Sequence, residues 1–267
     1  MKNIIVLFLS DTVFGSRWGL RDPNHQLKLG TTHFEANSIQ KYLWKDWTDF
    51  TRRLRESKPD VIFLLGGIVD RSSIPGRGES TSRAANELVS YAVTTLRMIP
   101  RKTNTKVIGL LGSQYNDPLY LRMSEEICTK LGGQLYGTTG IFAFEGHRFR
   151  IYHRPTTAYV YLEMAMGRRR TFAQEAIAGK KLPEIEGIIC GNSHRWLHMR
   201  TMWRDGKDFH IVLCPGWEGQ TDFMMMVDPD KMIPEIGAVL GRFTQNSVDF
   251  QCIRYPTPLG ISQPVKI

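Results

Sequence analysis

NIIVLFLSD at residues 3–11 is followed along the chain by DVIFLLGG at 60–67 and KVIGLLGS at 106–113. Each is a short apolar run rich in Ile, Val or Leu that stops abruptly at small or acidic residues, the pattern of a buried strand delivering the chain into a loop. Between the first two, residues 38–57 place Ile39, Leu43, Trp47, Phe50 and Leu54 on one helical stripe, and Asn37 with Gln40 reads as a capping box. A second helix is expected from Ser82 to Met98, with Leu88, Ala92 and Leu96 in register, and a third near 119–131. Strands follow at 141–145, 148–152 and 186–190, with Gly146-His147 at the first turn and a helix over 158–178. The last third, 209–214, 222–227, 235–240 and 247–254, alternates short β-like runs with Asp, Pro and Gly turns, which suggests a second sheet packed on the first. No repeat, low-complexity segment or linker interrupts this order, so one domain over 1–267 is expected, with 209–267 contributing to the second sheet.

Composition narrows the function classes. Hydrophobic residues at 42% and charged residues at 23% are those of a globular chain, which excludes disorder and fibrous repeats. No apolar run is long enough to span a bilayer, and the apolar N-terminus is cut short by Asp11 without a signal-peptide cleavage pattern. Cys128, Cys190, Cys214 and Cys252 are scattered, with no spacing for structural zinc or a redox pair, so a reduced cytoplasmic setting is expected. The net charge of +9 favours polyanions such as nucleic acid, or an acidic protein partner. Arg168, Arg169, Arg170, Lys180 and Lys181 form the densest basic cluster and are the candidate nucleic-acid contacts, set against the commoner explanation of a solvated helix face. Trp18, Trp44 and Trp47 could stack bases, but the last two lie on or beside the apolar helix stripe, where a core role is more frequent. Gly66-Gly67 lacks the Lys-Ser/Thr pair of a phosphate loop and reads as a tight turn.

Functional groups in layered α/β folds collect at the carboxyl ends of strands. Here the strand ends carry Ser10-Asp11-Thr12-Val13, Gly66-Gly67-Ile68-Val69-Asp70, Gly112-Ser113-Gln114-Tyr115-Asn116-Asp117, His153, and Gly191-Asn192-Ser193-His194. In order and spacing, over roughly residues 3–220, these loops resemble the DxH, GDxxD, GNHD, lone-His and GHxH motifs of calcineurin-like metallophosphoesterases. Trp18-Gly19-Leu20 and Cys214-Pro215-Gly216-Trp217 resemble a phage and prokaryotic branch of that family. The strand and helix alternation together with the resemblance implies a four-layer αββα sandwich, two mixed sheets flanked by helices.

Family chemistry holds two divalent cations about 3.5 to 4 Å apart, with a carboxylate bridging them and imidazoles on each side, so that bound water ionises near neutral pH. Carried over residue by residue, the resemblance assigns Asp11, Asn116, His153 and His194 as residual metal ligands. Val13 stands in place of the first His, Gly67 in place of the bridging Asp, and Asn192 in place of another His. Two points stay open: Asn116 is either the Asn ligand or the occupant of the catalytic position, and the lone His is His153 with Tyr152 marking a register one residue earlier. Asp70 receives no metal role, and His147, His198 and His210 read as structural. With neither metal keeping a full set, the expectation is no metal or a weakly bound divalent ion of the family's kind (Mn, Zn or Fe).

Three functions follow. One is a non-catalytic pseudoenzyme that binds nucleic acid or a protein partner on a phosphoesterase scaffold. Another is an active metal-dependent phosphodiesterase or nuclease with a reduced site. The third is a structural or assembly component of a larger complex, for instance in a virus, that reuses an enzyme fold for its surface.

Overall fold

The computed structural model describes residues 3–25, 27–29, 32–70, 85–112, 122–153, 162–202, 206–221, 224 and 233–257. In chain order the strands are β1 (Ile4–Leu9), β2 (Leu27–Leu29), β3 (Thr32–Phe34), β4 (Val61–Leu64), β5 (Lys106–Leu110), β6 (Gln134–Tyr136), β7 (Thr139–Phe144), β8 (His147–Tyr152), β9 (Gly187–Cys190), β10 (Leu197–Met202), β11 (Asp208–Leu213), β12 (Ile236–Thr244) and β13 (Ser247–Tyr255). The helices are α1 (Ser38–Arg53), α2 (Ala85–Leu96), α3 (Met123–Lys130) and α4 (Leu162–Ala178). β2 and β3 form a small hairpin; the other strands build two sheets, ordered β13-β12-β1-β4-β5-β6 and β10-β11-β9-β8-β7.

Both sheets are mixed. β1, β4, β5 and β6 run parallel, with β12 and β13 added antiparallel beyond β1. In the second sheet β8, β9 and β11 run parallel, with β7 and β10 antiparallel at the edges. Successive side chains on a strand face opposite ways, so each sheet feeds two cores. Leu7, Leu9, Ile62 and Leu64 pack outward against Leu43, Trp47 and Phe50 of α1, Leu88 and Ala92 of α2, and Ile127 of α3. Val6, Phe8, Phe63 and Leu65 face inward onto Phe149, Ile151, Ile189 and Val212 of the second sheet. On that sheet's outer side Ile188, Phe209, Ile211 and Leu213 pack with Ala173 of α4. The result is the expected αββα layering.

Local signals in the sequence hold. Asn37 Oδ1 accepts from the Gln40 backbone N–H at 2.8 Å, and Gln40 Oε1 accepts from the Asn37 N–H at 3.1 Å, closing the capping box. Trp18 and Trp47 are buried in the outer core rather than presented for stacking.

The last third is where the sequence reading needs correction. Residues 209–214 join the second sheet as expected, through β11 beside β9. Residues 236–255 instead form a hairpin on the first sheet, with β12 antiparallel to β1 in the register Ile4↔Phe243 to Phe8↔Val239. Alternating short runs identify strands but carry no information on their pairing partner, and here the partner is the far N-terminal strand. β12 also runs on to Thr244, and the strands Gln134–Tyr136 and Leu197–Met202 were not expected, because neither has a sustained apolar run. The proposed run at 222–227 lies outside the described residues apart from Met224. No helix among the described residues is long and apolar enough to cross a membrane.

Candidate functional site

The carboxyl ends of β1, β4 and β5 in one sheet meet those of β8, β9 and β11 in the other, and their loops form one tight junction. Asp11 N–H donates to Gly66 O at 3.1 Å and Val13 N–H to Gly67 O at 2.8 Å, tying the first loop to the second. Trp217 N–H donates to Asp11 O at 3.0 Å, and Gly191 N–H to Tyr152 O at 3.1 Å, bringing in the loops after β11 and β9. Asp11, Gly67, His153, Asn192 and His194 lie together there: the Asn192 N–H meets Asp11 Oδ2, Gly67 abuts Asp11, the adjacent Gly66 abuts His153, and Gly216 abuts both Asp11 and His194.

Asp11 is 2% exposed, and its carboxylate is engaged on one side. Ser10 Oγ donates to Asp11 Oδ2 at 2.5 Å and the Asn192 backbone N–H donates to the same oxygen at 2.9 Å. Asn192 thus contributes its main chain. Asp11 Oδ1 points at Gly67: a Cβ built there would lie 2.2 Å from it. Glycines line the rest of the junction for the same reason of close approach, with a Cβ on Gly66 falling 2.5 Å from His153 Nδ1.

The backbone here is strained. Asp11 (φ 49°), Val13 (φ 38°), Asn192 (φ 50°) and His194 (φ 48°) all occupy the left-handed region, which is unfavourable for a β-branched residue such as Val13. Val13 is fully buried, so the position offers an apolar side chain where the resemblance has an imidazole.

His153 Nδ1 donates to the Leu65 carbonyl at 2.6 Å, which fixes the orientation of its ring at the junction. Tyr152 instead turns its ring into the outer core with Ile188 and Leu213, so the histidine and not the tyrosine reaches the junction. His194 is 8% exposed, with Nε2 at 3.7 Å from Glu218 Oε2 and no hydrogen-bond partner for Nδ1 among the described residues. Burial lowers its pKa, Asp11 opposes that, and His153 adds to the lowering, so the imidazole is neutral near pH 7. Glu218 is the buried carboxylate that sequence reasoning passed over. It follows the Cys214-Pro215-Gly216-Trp217 fragment directly, and that position was the available signal.

Asn116 lies outside the described residues. Arg168, on α4, and Lys180 and Lys181, just beyond it, are exposed, while Arg170 is partly buried; all belong to the layer outside the second sheet. Arg169 also lies on α4. Among the described residues, no three His, Cys, Asp or Glu side chains stand together so as to hold one ion. A side chain at position 67, where the resemblance places the bridging Asp, would collide with Asp11 as it is oriented here.

No protein-family model matches the chain, and no curated protein sequence matches it. Solved structures do resemble it. Wild-type Vps29 from Entamoeba histolytica, complexed with zinc, aligns over 94% of this chain and 98% of its own at 11% identity and TM-score 0.42. Vps29 from Chaetomium thermophilum covers 99% and 100% at 11% identity and TM-score 0.44. An archaeal phosphodiesterase covers 94% and 100% at 9% identity and TM-score 0.46. At these values the likeness carries no argument about chemistry, which rests on the junction itself.

Proposed function

We propose that this chain is a non-catalytic binding protein on a metallophosphoesterase-type scaffold, and that its basic outer layer engages nucleic acid. The observation that carries the reading is the Asp11–Gly67 relationship. One Asp11 oxygen is taken up by Ser10 and the Asn192 N–H, and the other fills the space from which a bridging carboxylate would have to grow. Without that bridge nothing holds two cations at the separation in-line attack requires.

The polyanion part is supported by charge and its placement. Phe149 and Ile151 of β8 face the inner core, so Arg148 and Arg150 stand on the opposite side of the strand, the side that α4 shares. Arg148, Arg168, Lys180 and Lys181 are exposed and have no ion pair among the described residues.

Two measurements test the proposal. Fluorescence anisotropy with a single-stranded oligonucleotide should show binding that weakens steeply with salt and is reduced in Lys180→Glu/Lys181→Glu. Turnover of bis-p-nitrophenyl phosphate in manganese should not exceed background. Manganese-dependent turnover that disappears in Asp11→Ala would replace this reading with that of an active phosphodiesterase.

A further inference from the structure

The space between the two sheets is open at the end opposite the junction. The loops of the junction leave the carboxyl ends of β1, β4 and β5; at the amino ends of the same strands lies a cavity of about 370 Å³. This volume is at the small end of the range for small-molecule sites.

Its walls are apolar. Ile4, Val61 and Ile108 share the inward parity of Val6, Phe63 and Leu110, and all three remain only partly buried because the second sheet does not close over them. Phe142 and Phe144 of β7 form the opposite wall, with Phe142 edge-on to Phe63 at 4.9 Å. The polar groups at the rim are few. Asp60 is already engaged: Oδ1 pairs with Lys102 Nζ at 2.7 Å and Oδ2 accepts the Ile5 N–H at 3.0 Å. Lys106, which has the inward parity of Ile108, is exposed, lines the cavity and has no ion pair among the described residues. Asn3 and Asn104 add amide groups beside it.

We propose that this cavity is a binding site for a small amphiphilic anion, whose ring system or short alkyl chain enters between the sheets while its carboxylate, sulfonate or phosphate meets Lys106. The chemistry follows from the inventory: apolar walls select the body, and with Asp60 neutralised by Lys102, the remaining cation selects the head. This site is separate from the junction and does not depend on its function.

Anilinonaphthalene sulfonate is a suitable probe, with an apolar double ring and a fixed negative charge. Titration should give saturable, single-site fluorescence enhancement. Lys106→Glu, an exposed substitution that leaves the core intact, should weaken binding roughly tenfold, the effect of replacing attraction by repulsion at a partly screened site. Binding of the uncharged parent, N-phenylnaphthylamine, should be unchanged by the same substitution. Val61→Phe, which fills the cavity from one wall, should weaken both probes, and thermal melting reports whether that variant is folded. Sulfonate binding that is unaltered in Lys106→Glu, or no saturable binding by the wild-type chain, would overturn the proposal.

Discussion

A Cβ on Gly67 would stand 2.2 Å from Asp11 Oδ1 and 3.1 Å from Asp11 Cα. That separation is well inside contact distance, so the glycine at 67 and the present orientation of Asp11 require each other. Gly67→Ala should cost about 1–3 kcal/mol through overpacking. Asp11→Gly, at a positive φ that suits glycine, should cost a similar amount through loss of the Ser10 and Asn192 bonds. In the double variant the clash disappears, so the two costs should sum to less than their separate values. Urea denaturation of the four proteins measures this, and strict additivity would show that the two residues do not interact.

His153 acts first on the main chain. Its Nδ1–H satisfies the buried Leu65 carbonyl at the end of the strand run, beside Gly66. His153→Ala should therefore lower stability by about 1–3 kcal/mol, the penalty for leaving a buried acceptor without a partner. His153→Asn, which can place an amide N–H near the same carbonyl, should recover part of the loss. Equal losses in both variants would mean that the bond contributes little.

Acid should loosen the inner core near its end. His210 Nδ1 is 3.1 Å from His198 Nε2, and its ring lies against Phe250 and Phe149. Burial, with His198 adding to it, pushes the His210 pKa down to about 4. An unfolded histidine takes its proton near pH 6.5. The unfolded state thus binds more protons between those values, and stability falls as pH drops from about 6.5 toward 4, by roughly 1–3 kcal/mol from this group. Melting temperature followed over pH 4–7 should show the decline, and His210→Phe should flatten it. An equal slope in the variant would assign the decline to other groups.

The legible parts of the fold were those set by nearby residues. The capping box needs only Asn37 and Gln40, and the alternation of Val6, Leu7, Phe8 and Leu9 between two cores is contained in one strand. Membership of β12 in the first sheet depends on pairing with β1, at the other end of the chain, and no local pattern expresses that. At the junction, the residues that converge could be named because strand ends gather loops, but their geometry could not. That Gly67 makes room for Asp11, that Asn192 acts through its N–H, and that Glu218 faces His194 all depend on loop conformations with positive φ, which sequence patterns do not specify.

The two sheets are also joined by polar contacts at the far end of the inner core, where His147 opens β8. Its Nδ1 lies 2.6 Å from Glu186 Oε2 and its Nε2 lies 2.8 Å from the Thr244 carbonyl, at the end of β12. The first contact stays within the second sheet's neighbourhood, and the second crosses to the first sheet. His147→Phe keeps a flat ring but removes both bonds, leaving Thr244 O and Glu186 to find water at a partly buried site. The expected cost is about 1–3 kcal/mol. Glu186→Gln removes the charge but can still meet Nδ1 with either its amide N–H or its amide oxygen, so it should cost less, about 1 kcal/mol. Because the Thr244 bond is made by the main chain, only the His147 substitution affects the link between sheets. Hydrogen exchange separates the two effects. In His147→Phe, protection should fall at the β12–β13 turn as well as along β8, whereas in Glu186→Gln the turn should keep its protection. Loss of protection at the turn in both variants would mean that Glu186 is needed to hold the His147 ring in place, and equal protection in both would mean that the link to Thr244 adds nothing to the packing of the sheets.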